Sequence, residues 1–84
     1  MKFDPETYLI TIRKEEVDDE VLYVGRVAEF PNISVYEEDF VTARNLVINA
    51  IQTLKKIADE THKDFPPPYL ATSSEFMERA SSFR

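Results

Sequence analysis

The chain has 84 residues and a net charge of −6, with 16 acidic and 10 basic side chains, one glycine, one histidine and no cysteine. That length allows one domain with one small core, burying about 60% of the unfolded surface, so a partner or a second copy adds stability. The missing cysteines exclude a disulfide framework and a thiolate metal site, and make a reducing cytoplasm the expected compartment.

The start, Met1-Lys2-Phe3-Asp4-Pro5-Glu6, lacks the apolar core of a signal peptide, and no run reaches the length of a membrane span. Residues 7–13 are rich in β-branched and aromatic side chains, with Tyr8, Ile10 and Ile12 at period two, and predict strand one. Glu15, Glu16, Asp18, Asp19 and Glu20 surround a single valine, Val17, and predict a solvated hairpin loop. Residues 21–30 predict a longer second strand whose apolar start points to cover on both faces. Gly25, inside that strand, marks a bulge or a close backbone approach. Pro31-Asn32 then predicts a tight turn into a short third strand over residues 33–36.

After Glu37 and Glu38 comes the longest periodic stretch, residues 40–61. With Ala43 as reference at 100° per residue, Leu46, Val47, Ala50, Leu54, Ile57 and Ala58 fall within roughly 60° of it, a helical stripe. Asp39 is placed to cap the first turn, an N-cap worth about 1 kcal/mol. His62 and Lys63 suit the negative end of the helix dipole, and Pro66-Pro67-Pro68 forbids continuation. Extended, polyproline-like chain leads from there into a short edge strand over residues 69–72. Thr72 and Glu75 have capping-box spacing, which allows a short helix over residues 73–80. The expected organisation is one α+β domain over residues 1–72 and a tail over residues 73–84. The domain is β-β-β-α-β in two layers: a three-stranded antiparallel sheet covered by one long helix, with a short edge strand after it.

Three short strands, then Phe30-Pro31-Asn32-Ile33, then Glu37-Glu38-Asp39-Phe40-Val41-Thr42-Ala43 opening a long helix with a proline-bearing exit, resemble the HicB-like antitoxin family. The resemblance covers about residues 7–70 and rests on turns and caps. It departs from the family pattern at Glu37, where a glycine is usual, and in lacking a following DNA-binding segment. Ser74, Phe76, Met77 and Arg79 only faintly echo the opening strand of a ribbon-helix-helix segment. The resemblance implies a pared-down ribonuclease H-like fold. It also implies a partner, a small basic ribonuclease of the HicA type that the antitoxin binds and occludes; the departure at the C-terminal side leads to the expectation of no direct nucleic-acid binding by this chain alone.

A ribonuclease H-like fold raises the question of catalysis. A two-metal nuclease needs several carboxylates projecting from rigid strands into one site. The middle of strand one, Leu9-Ile10-Thr11, has none, and strand two has Glu29 only near its end. His62 is the single histidine, and Ser73, Ser74, Ser81 and Ser82 lie far from it in sequence. One glycine cannot build a phosphate-binding loop. The expectation is a protein that is not an enzyme and holds no cofactor or metal.

Charge and exposed apolar residues point to binding instead. Residues 1–39 carry a charge of −7 and residues 40–84 a charge of +1. An acidic front half repels nucleic acid and suits a basic protein. Ordinary solubility gives the same charge, and without the resemblance the acidic stretches read as solvated loops; the resemblance makes Glu15, Glu16, Asp18, Asp19, Glu20, Glu37 and Glu38 the candidate contacts of a basic partner. Val41 and Ile48 project about 140–160° from the core stripe and are candidates for self-association as a homodimer or higher oligomer. Two functions fit: an antitoxin that occludes a basic toxin, or a solitary domain of the same fold acting as an oligomeric scaffold or regulatory module.

Overall fold

The computed structural model describes residues 2–69. A single 3-10 turn, Pro5–Thr7, precedes strands β1 (Ile10–Val17), β2 (Glu20–Val27) and β3 (Phe30–Glu37) and helix α1 (Phe40–Glu60). The strands form one antiparallel sheet in the order β1-β2-β3, and α1 packs on one face of it, mainly over β2 and β3. This is the expected α+β arrangement of three strands under one long helix. No strand follows the helix among the described residues; residues 70–72 of the expected edge strand and the possible helix over residues 73–80 lie outside them.

Strand one begins later and runs longer than expected. Asp4 accepts the N–H of Glu6 at 2.9 Å, and Thr7 donates its N–H to the Asp4 carbonyl at 3.2 Å, which draws residues 5–7 into a turn. At its far end β1 runs on through Glu15, Glu16 and Val17, so the predicted acidic loop shrinks to Asp18 and Asp19. Both have positive φ, at 52° and 68°, as a two-residue type I′ hairpin requires. Aspartate tolerates that conformation because its short side chain bonds locally. The second turn is also displaced, lying at Ala28-Glu29 and not at Pro31-Asn32. Pro31 stands inside β3, on a sheet edge, where its missing N–H leaves no ladder bond unmade.

Gly25 explains how the helix sits. A Cβ at this position would lie 2.6 Å from Val47 Cγ2 and 2.8 Å from Val35 Cγ2, so the absent side chain lets α1 approach the middle of β2. The register shift of the sheet falls between Arg26 and Val27, so close approach, and not a bulge at Gly25 itself, is its role. The buried helix face is therefore Ala43, Val47, Ile51 and Ala58, centred roughly 45° round the helix from Ala43. Ile51, outside the predicted stripe, is fully buried, whereas Leu46 and Ile57 are 38% and 50% exposed. Val47 and Ile51 join Tyr8, Val27, Phe30 and Ile33 in the core, each large apolar side chain contributing about 1.5–3 kcal/mol.

Both helix ends close as the residues dictate. The Asp39 carboxylate accepts the Thr42 N–H at 2.9 Å. At the other end His62 takes φ 57° and donates its N–H to the Asp59 carbonyl, while Lys63 donates to that of Ala58 at 2.9 Å. This is a Schellman closure with histidine where glycine is usual.

The sheet face without a helix is closed by its own side chains. Val24 stands between Arg13 and Tyr36 in the register and is only 1% exposed. The Arg26 guanidinium reaches along this face to both oxygens of Glu15, at 2.6 and 3.3 Å. The helix covers only one face of strand two; on the other an ion pair and the stems of long side chains shield Val24, while Val21 stays 64% exposed, so the expected cover of both faces is met only in part.

At the end of the sheet where β1 begins, Phe3, Tyr8, Phe30 and Phe65 form a ring cluster with centroids 5.0 to 6.0 Å apart. The Tyr8 hydroxyl donates to the Pro66 carbonyl at 2.6 Å. Beside it the buried Glu29 carboxylate accepts the backbone N–H of Leu9 at 3.1 and 3.2 Å and that of Tyr69 at 2.7 Å.

Candidate protein-docking surface

The opposite end of the molecule is acidic because of how the elements meet. The β1-β2 hairpin turns there, β3 ends there and α1 starts there. Glu16, Asp18, Asp19 and Glu20 of the hairpin thus share an end with Glu37, Glu38 and Asp39, which the sequence separates by some twenty residues. Glu20 opens β2, and Glu37 is paired with Tyr23, three residues further along that strand. Glu20, Glu37, Glu38 and Asp39 line a shallow depression of about 430 Å³ with Leu22 and Tyr36. Tyr36 is half exposed and Leu22 partly buried. The result is a mixed depression in which Leu22 and the Tyr36 ring lie among carboxylates and the Thr42 side chain.

The candidate residues separate into groups by geometry. Glu20, Glu37 and Glu38 converge on the depression. Asp18 and Asp19 are exposed at the hairpin tip, and Glu16 is exposed on β1 beside it. Glu15 stands apart: its side chain is engaged by Arg26 across the helix-free face, and that hydrogen bond holds its carboxyl below the ordinary carboxylate value. Asp39 is committed to capping the helix. Tyr36, Leu22 and Asp39 were not among the sequence candidates for this surface. The alternation of β2 and β3 places Leu22 and Tyr36 on the face away from the helix, but only the register shows that the two strands bring them together.

The chemistry available here is the reception of positive charge. Carboxylates around Leu22 and Tyr36 match a lysine or arginine side chain, whose stem packs on these two while its head meets the rim. Glu38 and Asp39 stand at the N-terminus of α1, where negative side chains suit the helix dipole. Among the described residues, no group of three His, Cys, Asp or Glu side chains is gathered to hold a metal ion. No helix among them is long and apolar enough to cross a membrane.

Of the two self-association candidates, Val41 is 59% exposed on the first turn of α1, and Ile48 is half buried. Val41 therefore offers the apolar surface, and Ile48 belongs in part to the packing of the domain.

Compared with protein-family models, with curated proteins and with solved structures, the chain gives no match.

Proposed function

We propose that this chain is a non-catalytic interaction protein of the antitoxin type, which binds a small basic HicA-type mRNA ribonuclease and occludes its RNA-binding surface. The observation that carries the reading is the carboxylate-rimmed depression of Glu20, Glu37 and Glu38 over Leu22 and Tyr36, next to the Asp18-Asp19 tip. Carboxylates spaced along one end of a rigid sheet imitate the phosphates that a basic ribonuclease seeks, and complementary charge accelerates encounter. The chain itself binds no nucleic acid in this reading and works in the cytoplasm. In this reading exposed Val41 contributes to a homodimer or higher oligomer.

The test is RNA cleavage by a purified basic ribonuclease of this type as the chain is titrated in. Inhibition complete at a stoichiometric amount, and weakened as salt rises, supports the reading. Charge reversal by Glu20→Lys, Glu37→Lys and Glu38→Lys should slow association at least tenfold. Undiminished cleavage at excess chain removes the antitoxin reading, and unchanged association by the triple variant removes the depression from it.

The alternative, a solitary oligomeric scaffold or regulatory module, is favoured by the exposed apolar side chains Leu9, Phe40, Val41 and Ile57. It predicts a stable homo-oligomer and no effect on the ribonuclease.

A further inference from the structure

We propose that two copies of this chain pair antiparallel along the outer edge of β1, with the two-fold axis at Thr11, so that their sheets join into one of six strands. The pairing rests on the homodimer of the reading above and gives it a surface and a geometry.

β1 is the edge of the sheet open to pairing. The Leu9 carbonyl accepts the Ala28 N–H at 3.0 Å, so Leu9 is turned toward β2. Alternation of the backbone then turns the N–H and C=O of Ile10, Ile12 and Lys14 outward, toward the edge. The other edge, β3, carries Pro31 and adjoins the register shift, both of which discourage pairing; β1 has neither. Charge protects only the later part of β1, where Arg13, Lys14, Glu15 and Glu16 follow one another. The stretch before it, Leu9 to Ile12, is uncharged and mostly β-branched, which suits a strand.

Symmetry leaves few registers. A two-fold axis joining antiparallel edges stands perpendicular to the sheet, so one residue of β1 faces its own copy and both helices lie on the same side. Centring on Arg13, Lys14, Glu15 or Glu16 sets like charges opposite each other, and centring on Val17 engages only the hairpin tip. Centring on Ile10 pairs Ile12 with Tyr8, whose N–H is already given to the Pro5 carbonyl. Centring on Ile12 places Ile10 against Lys14 and Leu9 against Glu15. Centring on Thr11 pairs each Ile10 with the other copy's Ile12, sets Thr11 against Thr11, and lays the Arg13 stem beside Leu9. Only there do the uncharged stretches meet each other.

The helix side of this edge offers apolar surface to cover. Because α1 lies mainly over β2 and β3, a hollow of about 370 Å³ remains beside β1, lined by Tyr8, Leu9, Ile10, Ile12 and Phe40, with the Glu6–Arg44 ion pair at its rim. Leu9 and Phe40 are 48% and 46% exposed, and Ile10 and Ile12 are half-buried. In the Thr11 register the second copy's Ile12 stands beside Ile10 at this hollow, and burying both is favourable. Arg44 stands about 100° round α1 from Ala43 and reaches Glu6, so this flank of the helix overlooks the head of β1. Val41 and Ile48 stand about 40–60° beyond it, on the side from which a second copy arrives. The acidic depression lies at the hairpin end, away from the axis, and stays open in both copies.

The full chain has no cysteine, so single cysteines locate the axis directly. A cysteine that faces its own copy across a two-fold axis closes a disulfide readily. Under mild oxidation Thr11→Cys should form covalent dimer at least tenfold faster than Arg13→Cys on the same strand or Ser34→Cys on β3. Fastest dimer from Arg13→Cys would overturn the register, and fastest dimer from Ser34→Cys, or equally slow reaction of all three, would overturn the pairing. Sedimentation and amide hydrogen exchange give a second measurement. Protection of the Ile10 and Ile12 amides should rise with concentration, together with the dimer. Thr11→Glu should weaken the dimer at least tenfold while the Val24 and Ile51 amides stay protected, which shows that the fold persists. Protection of Ile10 and Ile12 in the monomer would mean that the edge is closed within one chain and would overturn the proposal. Thr11→Glu should still inhibit the ribonuclease, so failure of the dimer and failure of the antitoxin reading are told apart.

Discussion

Glu29 and Tyr69, forty residues apart, meet at 2.7 Å, where the Glu29 carboxylate takes the Tyr69 N–H while also holding that of Leu9. A buried carboxylate in this position ties the β2-β3 turn, the head of β1 and the segment leaving the helix into one corner. Glu29→Ala leaves two backbone donors without an acceptor and is expected to lower stability by about 2–3 kcal/mol. Glu29→Gln, which keeps one acceptor oxygen, should lose less. Urea unfolding of the two variants checks this, and equal stability of Glu29→Ala and the natural chain would remove the corner from the account.

Gly25 is required for space and not for an unusual backbone conformation, since its φ is not positive. Gly25→Ala brings a methyl within 2.6 Å of Val47 Cγ2, and neither Val47 nor Val35 can turn aside cheaply because both are β-branched. The expected cost is about 1–3 kcal/mol from overpacking. A companion Val47→Ala change should recover part of it if the clash is the cause, readable as a double-mutant cycle in thermal unfolding.

His62 closes the helix in the left-handed region, where a Cβ is strained. His62→Gly should stabilise the domain by about 0.5–1 kcal/mol, the strain relieved less the extra freedom of the unfolded glycine. Loss of stability on this change would show instead that the His62 side chain supports the helix C-terminus, as the sequence suggested.

Burial, with the negative Glu29 nearby, pushes the Tyr8 phenol above its ordinary value of 10.0. The folded state therefore keeps this proton at pH values where the unfolded chain has released it. Its contribution to stability is intact below about pH 10 and is lost as pH rises from there through the folded value. Tyr8→Phe should cost about 1 kcal/mol at pH 7 through the lost bond to Pro66, and should show a shallower alkaline decline than the natural chain. Parallel declines in the two chains between pH 9 and 11 would contradict the burial assignment.

The long helix was the most legible part of the sequence, because its period, its Asp39 cap and the three prolines all act locally. The roll of that helix was not, since it is set by Gly25 meeting Val47 across the fold. Leu46 and Ile57 therefore read as core, and Ile51 did not. The β1-β2 hairpin was misjudged because carboxylates were read as loop-forming, whereas a strand edge tolerates Glu15 and Glu16 once Arg26 and solvent receive them. Glu29 was passed over because a carboxylate bound only by backbone N–H groups leaves no sequence pattern. At the candidate surface the acidic residues were visible as two clusters. Their convergence around Leu22 and Tyr36 required the strand register.

The central claim is that the acidic end receives a basic protein. Its most direct test is native mass spectrometry of the tagged chain co-expressed with the product of the adjacent reading frame, at low and then at high ionic strength. The account predicts a heteromer with a small basic protein that is toxic when expressed without this chain, and a complex that dissociates as salt rises. The chain alone, or a homo-oligomer with nothing bound at low salt, would contradict it.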